Sequence, residues 1–426
     1  VTVPNQRDPD MVQTVKGLRQ DLDAHRQTLI SKWGRVPILT ADPTSPPDGS
    51  IWSRSDTGEL RYQSAGGTIA LPTGRRSQFD NGAIQVLQRT GIAVGVMPAT
   101  TSYTNMPDRW QWVTAGSGTW TGGPVNVGPA DSGLTNSIVM QLTGAGIPAP
   151  AATDIWGIRQ NIEGQNLQNL LYGTASARPA TISFWVLAHG WSGPCRIYIG
   201  NGASTRFVTG SYTINNQDVW EYKTVTIPGD QVAAIANDAN AGLVITWGLG
   251  AGSNYTAGAL PIAWTASSAG VLNGQTNMAA TTNNFIRLTG LQIEVGAVAT
   301  PFEFVTYSDD LRRCQRYALS IFPGGAAQPF GYGQCFGATD GIIGIPLPTP
   351  MRAGAPTLAL SALGDFVVWG ANSVGVALTN LVFYAYSLPS SLYLVRLTTA
   401  AGLVAGNATA LVTNNANSRL TISSDL

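Results

Sequence analysis

The stretch Phe285-Ile-Arg-Leu-Thr-Gly-Leu-Gln-Ile-Glu-Val-Gly-Ala-Val-Ala-Thr-Pro-Phe302 runs on into Glu303-Phe304 and then Cys314-Gln-Arg-Tyr317. It places one acid, Glu294, inside an apolar strand. It closes a region from about Gln78 to Thr306 in which strand-like runs alternate with clusters of Gly, Pro, Asn and Ser. Examples are Thr181-Ile-Ser-Phe-Trp-Val-Leu187, Arg196-Ile-Tyr-Ile199, Glu221-Tyr-Lys-Thr-Val-Thr-Ile227 and Leu243-Val-Ile-Thr-Trp247. Helical periodicity is weak, apart from a turn at Asp230-Gln-Val-Ala-Ala-Ile235. Many short strands with turn signals between them predict a jelly-roll-like β-sandwich over 76–306.

Toward the N-terminus the pattern changes. Asp8-Pro-Asp10 offers a helix start. Apolar positions then follow at Met11, Val15, Leu18, Leu22 and Leu29, with His25 in the same stripe. Steps of four and three are heptad spacing. Residues 1–34 are therefore expected to form a helical stem, a trimeric coiled coil, because no neighbouring helix is legible for it to pack against. Thr40-Ala-Asp-Pro-Thr-Ser-Pro-Pro-Asp-Gly49 is a linker or turn cluster. Ser50 to Gln63 reads as a hairpin turning at Asp56-Thr-Gly58, with Gly66-Gly67 and Pro72-Thr-Gly74 closing a small module over 35–75.

Toward the C-terminus, Ser308-Asp-Asp-Leu-Arg-Arg-Cys-Gln-Arg-Tyr317 predicts a short connector helix within 307–320, capped by Ser308. Residues 321–426 read as a C-terminal β domain, with strands at Asp365-Phe-Val-Val-Trp369 and Ser391-Leu-Tyr-Leu-Val-Arg-Leu397. The expected fold class is thus mainly β: stem helix, hairpin module, sandwich and C-terminal β domain.

Composition narrows the function classes. Charged residues make up 11% of 426, less than half the usual quarter, while apolar content is 44%. Basic and acidic residues number 24 each, so the chain has no electrostatic footprint for nucleic acid or a membrane surface. No apolar run reaches the roughly 20 residues that span a bilayer. Three scattered cysteines, Cys195, Cys314 and Cys335, make neither a disulfide framework nor a zinc motif and read as buried thiols.

The order of motifs resembles the carbohydrate-binding-like sandwich of bacteriophage tail-fibre and receptor-binding proteins. The matching steps are Asn81-Gly82, Asp108-Arg-Trp110, Arg159-Gln-Asn-Ile-Glu163, Ser183-Phe-Trp-Val186, Trp220-Glu-Tyr222, and Gln292-Ile-Glu-Val-Gly296 through Glu303. They cover some 220 residues in order. Pro350-Met-Arg-Ala-Gly-Ala-Pro-Thr-Leu358 is similar to a signature of C-terminal fibre domains, with Gly354 or Ala355 as an extra residue. The resemblance implies a virion fibre or spike that binds host cell-surface glycans without catalysis. It further implies a homotrimer, joined to other virion tail or capsid proteins through its N-terminal region. No secretory signal is legible at Val1 to Asp8, so the expected location is the virion, after synthesis in the host cytoplasm. A capsid-attached head fibre and a purely structural tail-tip protein are the alternatives; a capsule-degrading glycosidase is a third.

Chemistry-bearing residues are few. His25 lies in the heptad stripe, His189 in the loop Ala188 to Pro194, and no nucleophile elbow accompanies either. Glu163 and Glu294 are the carboxylates a glycosidase would pair. The competing reading satisfies each internally, by Arg159, Arg287 or backbone donors. No cofactor is expected. A structural Ca2+ at Asp80 and Asn81 is an alternative to a simple Asp-Asn-Gly turn. The Gly248 to Gly252 run lacks the Lys-Ser/Thr of a phosphate loop. Trp185, Trp220 and Trp247 read as core, whereas Trp120, Trp191, Tyr255 and Trp264 lie among small or loop residues. Those four are the candidate glycan platform, since sugar C–H faces pack on indole and phenol rings.

Overall fold

The computed structural model describes residues 36–54, 60–64, 67–71, 75–89, 94–104, 106–352, 356–370, 375–385 and 391–426. Met11, Val15, Leu18, Leu22, His25 and Leu29, the turns at Asp56-Thr-Gly58 and Pro72-Thr-Gly74, and the Gly354–Ala355 step lie outside these. The protein is mainly β, with several sheets. It divides into two compact units, 1–75 and 76–426.

In the first unit, β1 (Ile38–Leu39), β2 (Ile51–Arg54), β3 (Leu60–Ser64) and β4 (Gly67–Leu71) form one sheet in that order. Ile51 pairs with Tyr62 across an antiparallel β2–β3 ladder. Trp52 is buried, and its indole N–H donates to Asp42 at 2.9 Å.

The second unit starts with a two-sheet sandwich. Its strands are β5 (Gly95–Val96), β6 (Gln111–Ala115), β7 (Trp120–Val125), β8 (Ser137–Leu142), β9 (Ile155–Glu163), β10 (Ala180–His189), β11 (Gly193–Asn201), β12 (Phe207–Ile214), β13 (Glu221–Ile227), β14 (Ala241–Ala251) and β15 (Phe285–Val295). One sheet runs β13-β10-β15-β8-β7-β5 and the other β12-β11-β14-β9-β6. Alternation supplies the core: Ile182, Phe184 and Val186 from β10 meet Ile197, Ile199, Ile245 and Trp247 from the facing sheet. Phe79, Trp110, Phe184 and Trp247 interlock there at centroid distances of 5.5–5.7 Å.

Strand β15 explains its own sequence. Ile286 and Leu288 face inward at even positions, Leu291 and Ile293 at odd ones. The switch is a bulge at Gly290, whose φ of 60° is left-handed, and the pairing with β10 shifts there. The chain then doubles back over the outer face. Thr300 donates to Glu294 through its N–H at 2.7 Å and its hydroxyl at 2.8 Å, and Gln292 adds a bond at 3.1 Å. Glu303 in turn accepts from the N–H groups of Arg76 and Ser77, fastening the chain's return to the sandwich's first residues.

Helix α1 (Ser253–Thr256) lies in a long loop, and helix α2 (Tyr307–Gln315) follows the sandwich. Its cap is Thr306, whose hydroxyl accepts from Asp309 N–H at 3.3 Å, and not the expected Ser308. The backbone is still extended at Thr306 and the helix starts at Tyr307, two residues earlier than the Ser308 reading needs. Asp310 docks α2 on the Asn81 turn by accepting from Asn81 N–H at 2.9 Å and from Gln85 at 3.1 Å. Beyond it lie β16 (Ala318–Ile321), β17 (Pro329–Cys335), β18 (Asp340–Pro346), β19 (Thr357–Leu360), β20 (Phe366–Trp369), β21 (Gly375–Ala385), β22 (Leu392–Thr399), β23 (Ala408–Thr413) and β24 (Leu420–Ser423). Six of them close a barrel in the order β17-β18-β22-β21-β20-β23, and β16-β24-β19 form a small sheet. Closure removes exposed sheet edges.

The sandwich joins the end of α2 and the small β16-β24-β19 sheet through buried and half-buried polar groups. Arg109, 2% exposed, donates to Asp80 at 3.1 Å and to the Asn161 carbonyl at 2.6 Å, and its guanidinium lies 3.4 Å from the Tyr317 ring centroid. Arg316 grips Glu163 with two bonds of 3.0 Å. Arg89 pairs with Asp425 at 2.5 Å, and Arg419 donates to the Arg89 carbonyl. Cys195, Cys314 and Cys335 are buried free thiols.

Two outcomes follow from this junction. Replacing Arg109 by Met removes the Arg109 half of a buried ion pair, so urea unfolding should show a loss of about 3–5 kcal/mol; a loss under about 1 kcal/mol would contradict that role. Asp108 is held near Arg89 and Asp425, and burial pushes its pKa up to about 6. The folded chain therefore takes up this proton before the unfolded chain as pH falls. The group opposes folding above about pH 6, and the penalty, on the order of 2–3 kcal/mol, is relieved as pH drops toward the ordinary carboxylate value. Denaturation curves between pH 4 and 7 should have a flatter pH slope in Asp108→Asn than in the unaltered chain.

Candidate functional site

The outer face of the five-stranded sheet is not covered uniformly. Residues that alternate with the core positions line up across all five strands. Gln111 pairs with Arg159, Arg159 with Thr246, Thr246 with Tyr198, and Tyr198 with Thr209. The next row is Asn161, Val244, Gly200 and Phe207. Neighbouring strands lie about 4.8 Å apart, so Arg159 and Tyr198 are separated by about 10 Å across the sheet. Gly157, Gly200 and Gly248 contribute no side chains to this face and leave it hollow between the larger groups.

A loop walls the hollow. Leu272 seats over Gly248, Thr209 donates to the Val271 carbonyl at 3.0 Å, and Leu272 N–H bonds the Tyr255 carbonyl at 2.9 Å. Thr265 exchanges two backbone bonds with Phe207, at 2.7 and 2.9 Å. Ile155, Val271 and Leu272 make a small apolar cluster against which Tyr198, Phe207 and Tyr255 pack. The result is a cleft of about 330 Å3, lined by Arg159, Tyr198, Phe207, Tyr255, Ser204 and Ser268 over a floor that includes Val113 and Val244. The three rings are half-buried, each giving part of its surface to the cleft.

Its electrostatics are simple. Arg159 donates Nε–H to Gln111 Oε1 at 2.6 Å, which fixes the plane of the guanidinium. Gln111 is held in turn near the Asn161 amide at 3.5 Å. Among the described residues no Asp or Glu lines the cleft. Burial pushes the Tyr198 phenol pKa up, and the Arg159 charge offsets only part of that, so the phenol keeps its proton at neutral pH.

The four aromatic candidates do not converge. Tyr255 alone lines this cleft. Trp120 is 3% exposed and packs on Trp112 and Trp156, because its glycine-rich surroundings form strand β7 and not an open loop. Trp191 is also buried, with its indole N–H on the Phe285 carbonyl at 3.0 Å. Trp264 is half-buried, donates to Pro228 at 2.8 Å and meets Tyr172 edge-on. Of the three expected core tryptophans, Trp247 is in the core, Trp220 is only partly buried, and Trp185 faces outward beside Tyr222 on the other sheet.

The carboxylates have other work. Glu163 and Glu294 belong to different sheets and are both buried. Glu163 is held by Arg316 and Gln165, and Glu294 by Gln292 and Thr300, whose N–H is a backbone donor as expected; Arg159 and Arg287 bond neither. His189 bonds Asp218 at 2.6 Å on the surface and stacks on Phe285. Asp80 faces Arg109, while the Asn81 side chain bonds backbone at Val86, Asp108 and Gln85. Among the described residues no group of three His, Cys, Asp or Glu gathers as metal ligands. None of their helices is long and apolar enough to cross a membrane.

Sequence reasoning missed Tyr198 and Phe207 and gave Arg159 a different partner. Tyr198 was legible: it alternates with Ile197 and Ile199, both core residues.

No protein-family model matches the sequence, and no curated protein matches it. Solved structures do. The chain is similar to the enzymatically active domain of tailspike protein 4 of bacteriophage CBA120, at 10% identity and TM-score 0.27, over 47% of this chain and 21% of that one. It is similar to a family 11 carbohydrate-binding module of a Clostridium thermocellum cellulosomal cellulase, at 12% identity and TM-score 0.24, over 50% and 99%. It is also similar to a xylan-binding domain of Paenibacillus barcinonensis, at 12% identity and TM-score 0.21, over 44% and 87%. Identities and TM-scores this low do not assign the chain to a family.

Proposed function

We propose that this protein is a non-catalytic glycan-binding adhesin whose ligand lies in the cleft on the five-stranded sheet. The observation that carries the reading is the convergence of Tyr198, Phe207 and Tyr255 around one hollow with a fixed guanidinium at its side. Ring faces take the C–H faces of sugars, and a few fixed polar groups set orientation. The loop wall is tied down by backbone bonds, so little ordering entropy is lost on binding. A hydrolase would need a carboxylate pair facing the substrate. Here Glu163 and Glu294 are occupied elsewhere, and among the described residues no acid lines the cleft.

The motif order supports a place on a phage particle, as a tail fibre or spike that adsorbs to host glycans. In this reading residues 1–34 trimerise the chain and attach it to other virion tail or capsid proteins. Three weak sites on one stalk raise the effective concentration and turn modest affinity into firm attachment.

Isothermal titration of the full chain against oligosaccharides, chosen from an array screen of neutral and acidic glycans, tests the site. Tyr198→Ala and Phe207→Ala should each weaken binding on the order of tenfold while leaving the unfolding midpoint nearly unchanged, since both rings lie outside the main core. Unchanged affinity in both variants, or no glycan bound at all, would refute the reading.

A further inference from the structure

Several half-buried arginines of the second unit make no ion pair, Arg76, Arg287 and Arg159 among them, but of these three only Arg159 lines the cleft. Arg89, Arg109, Arg206 and Arg316 each meet a carboxylate. Arg352 and Arg196 donate to backbone carbonyls. Arg159 spends its Nε–H on the neutral Gln111 amide and makes no ion pair. Its two terminal amino groups have no hydrogen bond to any described residue, and the residue lines the cleft. A chain with only 24 Lys and Arg in 426 residues has placed one of them, without an ion-pair partner among the described residues, at the side of this cleft.

A half-desolvated guanidinium is costly unless an anion meets it. The Gln111 bond holds the planar group by one edge and leaves the Nη1/Nη2 edge as a fork. That fork matches the two oxygens of a carboxylate. The other wall groups are uncharged: hydroxyls from Ser204 and Ser268, a protonated phenol from Tyr198, and the rings of Phe207 and Tyr255. Their chemistry suits the body of a sugar, not a second charge.

Resting on the glycan-binding reading above, we infer that the cleft selects acidic glycans, with the carboxylate of a uronic-acid-type sugar held bidentately by Arg159 and the sugar faces against Tyr198, Phe207 and Tyr255. The carboxylate lies beside the Gln111–Arg159 pair, and the chain of sugars extends across the sheet toward Tyr198 and Phe207. Selectivity comes from the fork. A neutral sugar of the same shape leaves the guanidinium half-buried and unpaired, whereas the acid pairs with it.

The test is titration of the full-length chain with uronate-containing oligosaccharides and with the same oligosaccharides after reduction of the carboxyl to a primary alcohol. The acid forms should bind on the order of tenfold tighter, with the gap narrowing as salt is raised. Arg159→Gln should bring the ratio of acid to reduced-form affinity to about one, whatever its effect on the reduced forms themselves. Arg159→Lys, which keeps charge but not the fork, should retain only part of it. Equal affinity for acid and reduced forms, or a preference that survives in Arg159→Gln, overturns the inference and leaves glycan binding standing. Failure to bind either form, or any neutral glycan on the array, overturns both. Free glucuronate and acetate serve as controls: acetate binding as tightly as the sugar acid would show a bare anion site and refute sugar recognition.

Discussion

The buried guanidinium of Arg109 is the tie on which the second unit depends. It reaches Asp80 at the start of the sandwich, the Asn161 carbonyl in β9 and the Tyr317 ring after the connector helix. Arg109 itself has a left-handed φ of 75°, a conformation costly for a side-chain-bearing residue and kept only because its partners hold it. Around this centre the sequence's scarce charges are spent in pairs: Arg316 with Glu163, Arg89 with Asp425, Arg206 with Asp230. Part of the chain's scarce charge thus serves as internal fasteners.

That economy is what makes the cleft chemically distinct. Arg109 fixes Asn161 through its carbonyl, and the Asn161 side chain approaches Gln111, which orients Arg159. The polar end of the cleft is therefore braced from within the sandwich, while its aromatic end rests on Ile155, Val271 and Leu272. Rigid elements on both sides give a preformed site, which favours binding by lowering the ordering cost.

Much of the sandwich was legible in the chain because alternation and turn residues are local signals. The runs at 181–187, 196–199, 221–227 and 243–247 all lie in observed strands. The motif Gln292 to Glu303 also had a physical cause, since its polar residues bond one another across a reversal. The site was read less well, and the reasons are specific. Trp120 sits among glycines that look like a loop, but Gly122 is in a strand and makes room for Met140. Arg159 is four residues from an Arg316-paired Glu163 in another part of the strand, and only long-range pairing shows that its neighbour is Gln111. The closed barrel at 329–413 depends on pairings between distant strands, such as β17 with β23, that no local pattern encodes.

The most direct measurement is hydroxyl-radical footprinting of the full chain with and without a saturating uronate oligosaccharide. Tyr198, Phe207 and Tyr255 should be protected together, while the outward pair Trp185 and Tyr222 on the opposite sheet keeps its reactivity. Protection of Trp185 and Tyr222 with no change at the three cleft rings would place the ligand on the wrong face and contradict the account.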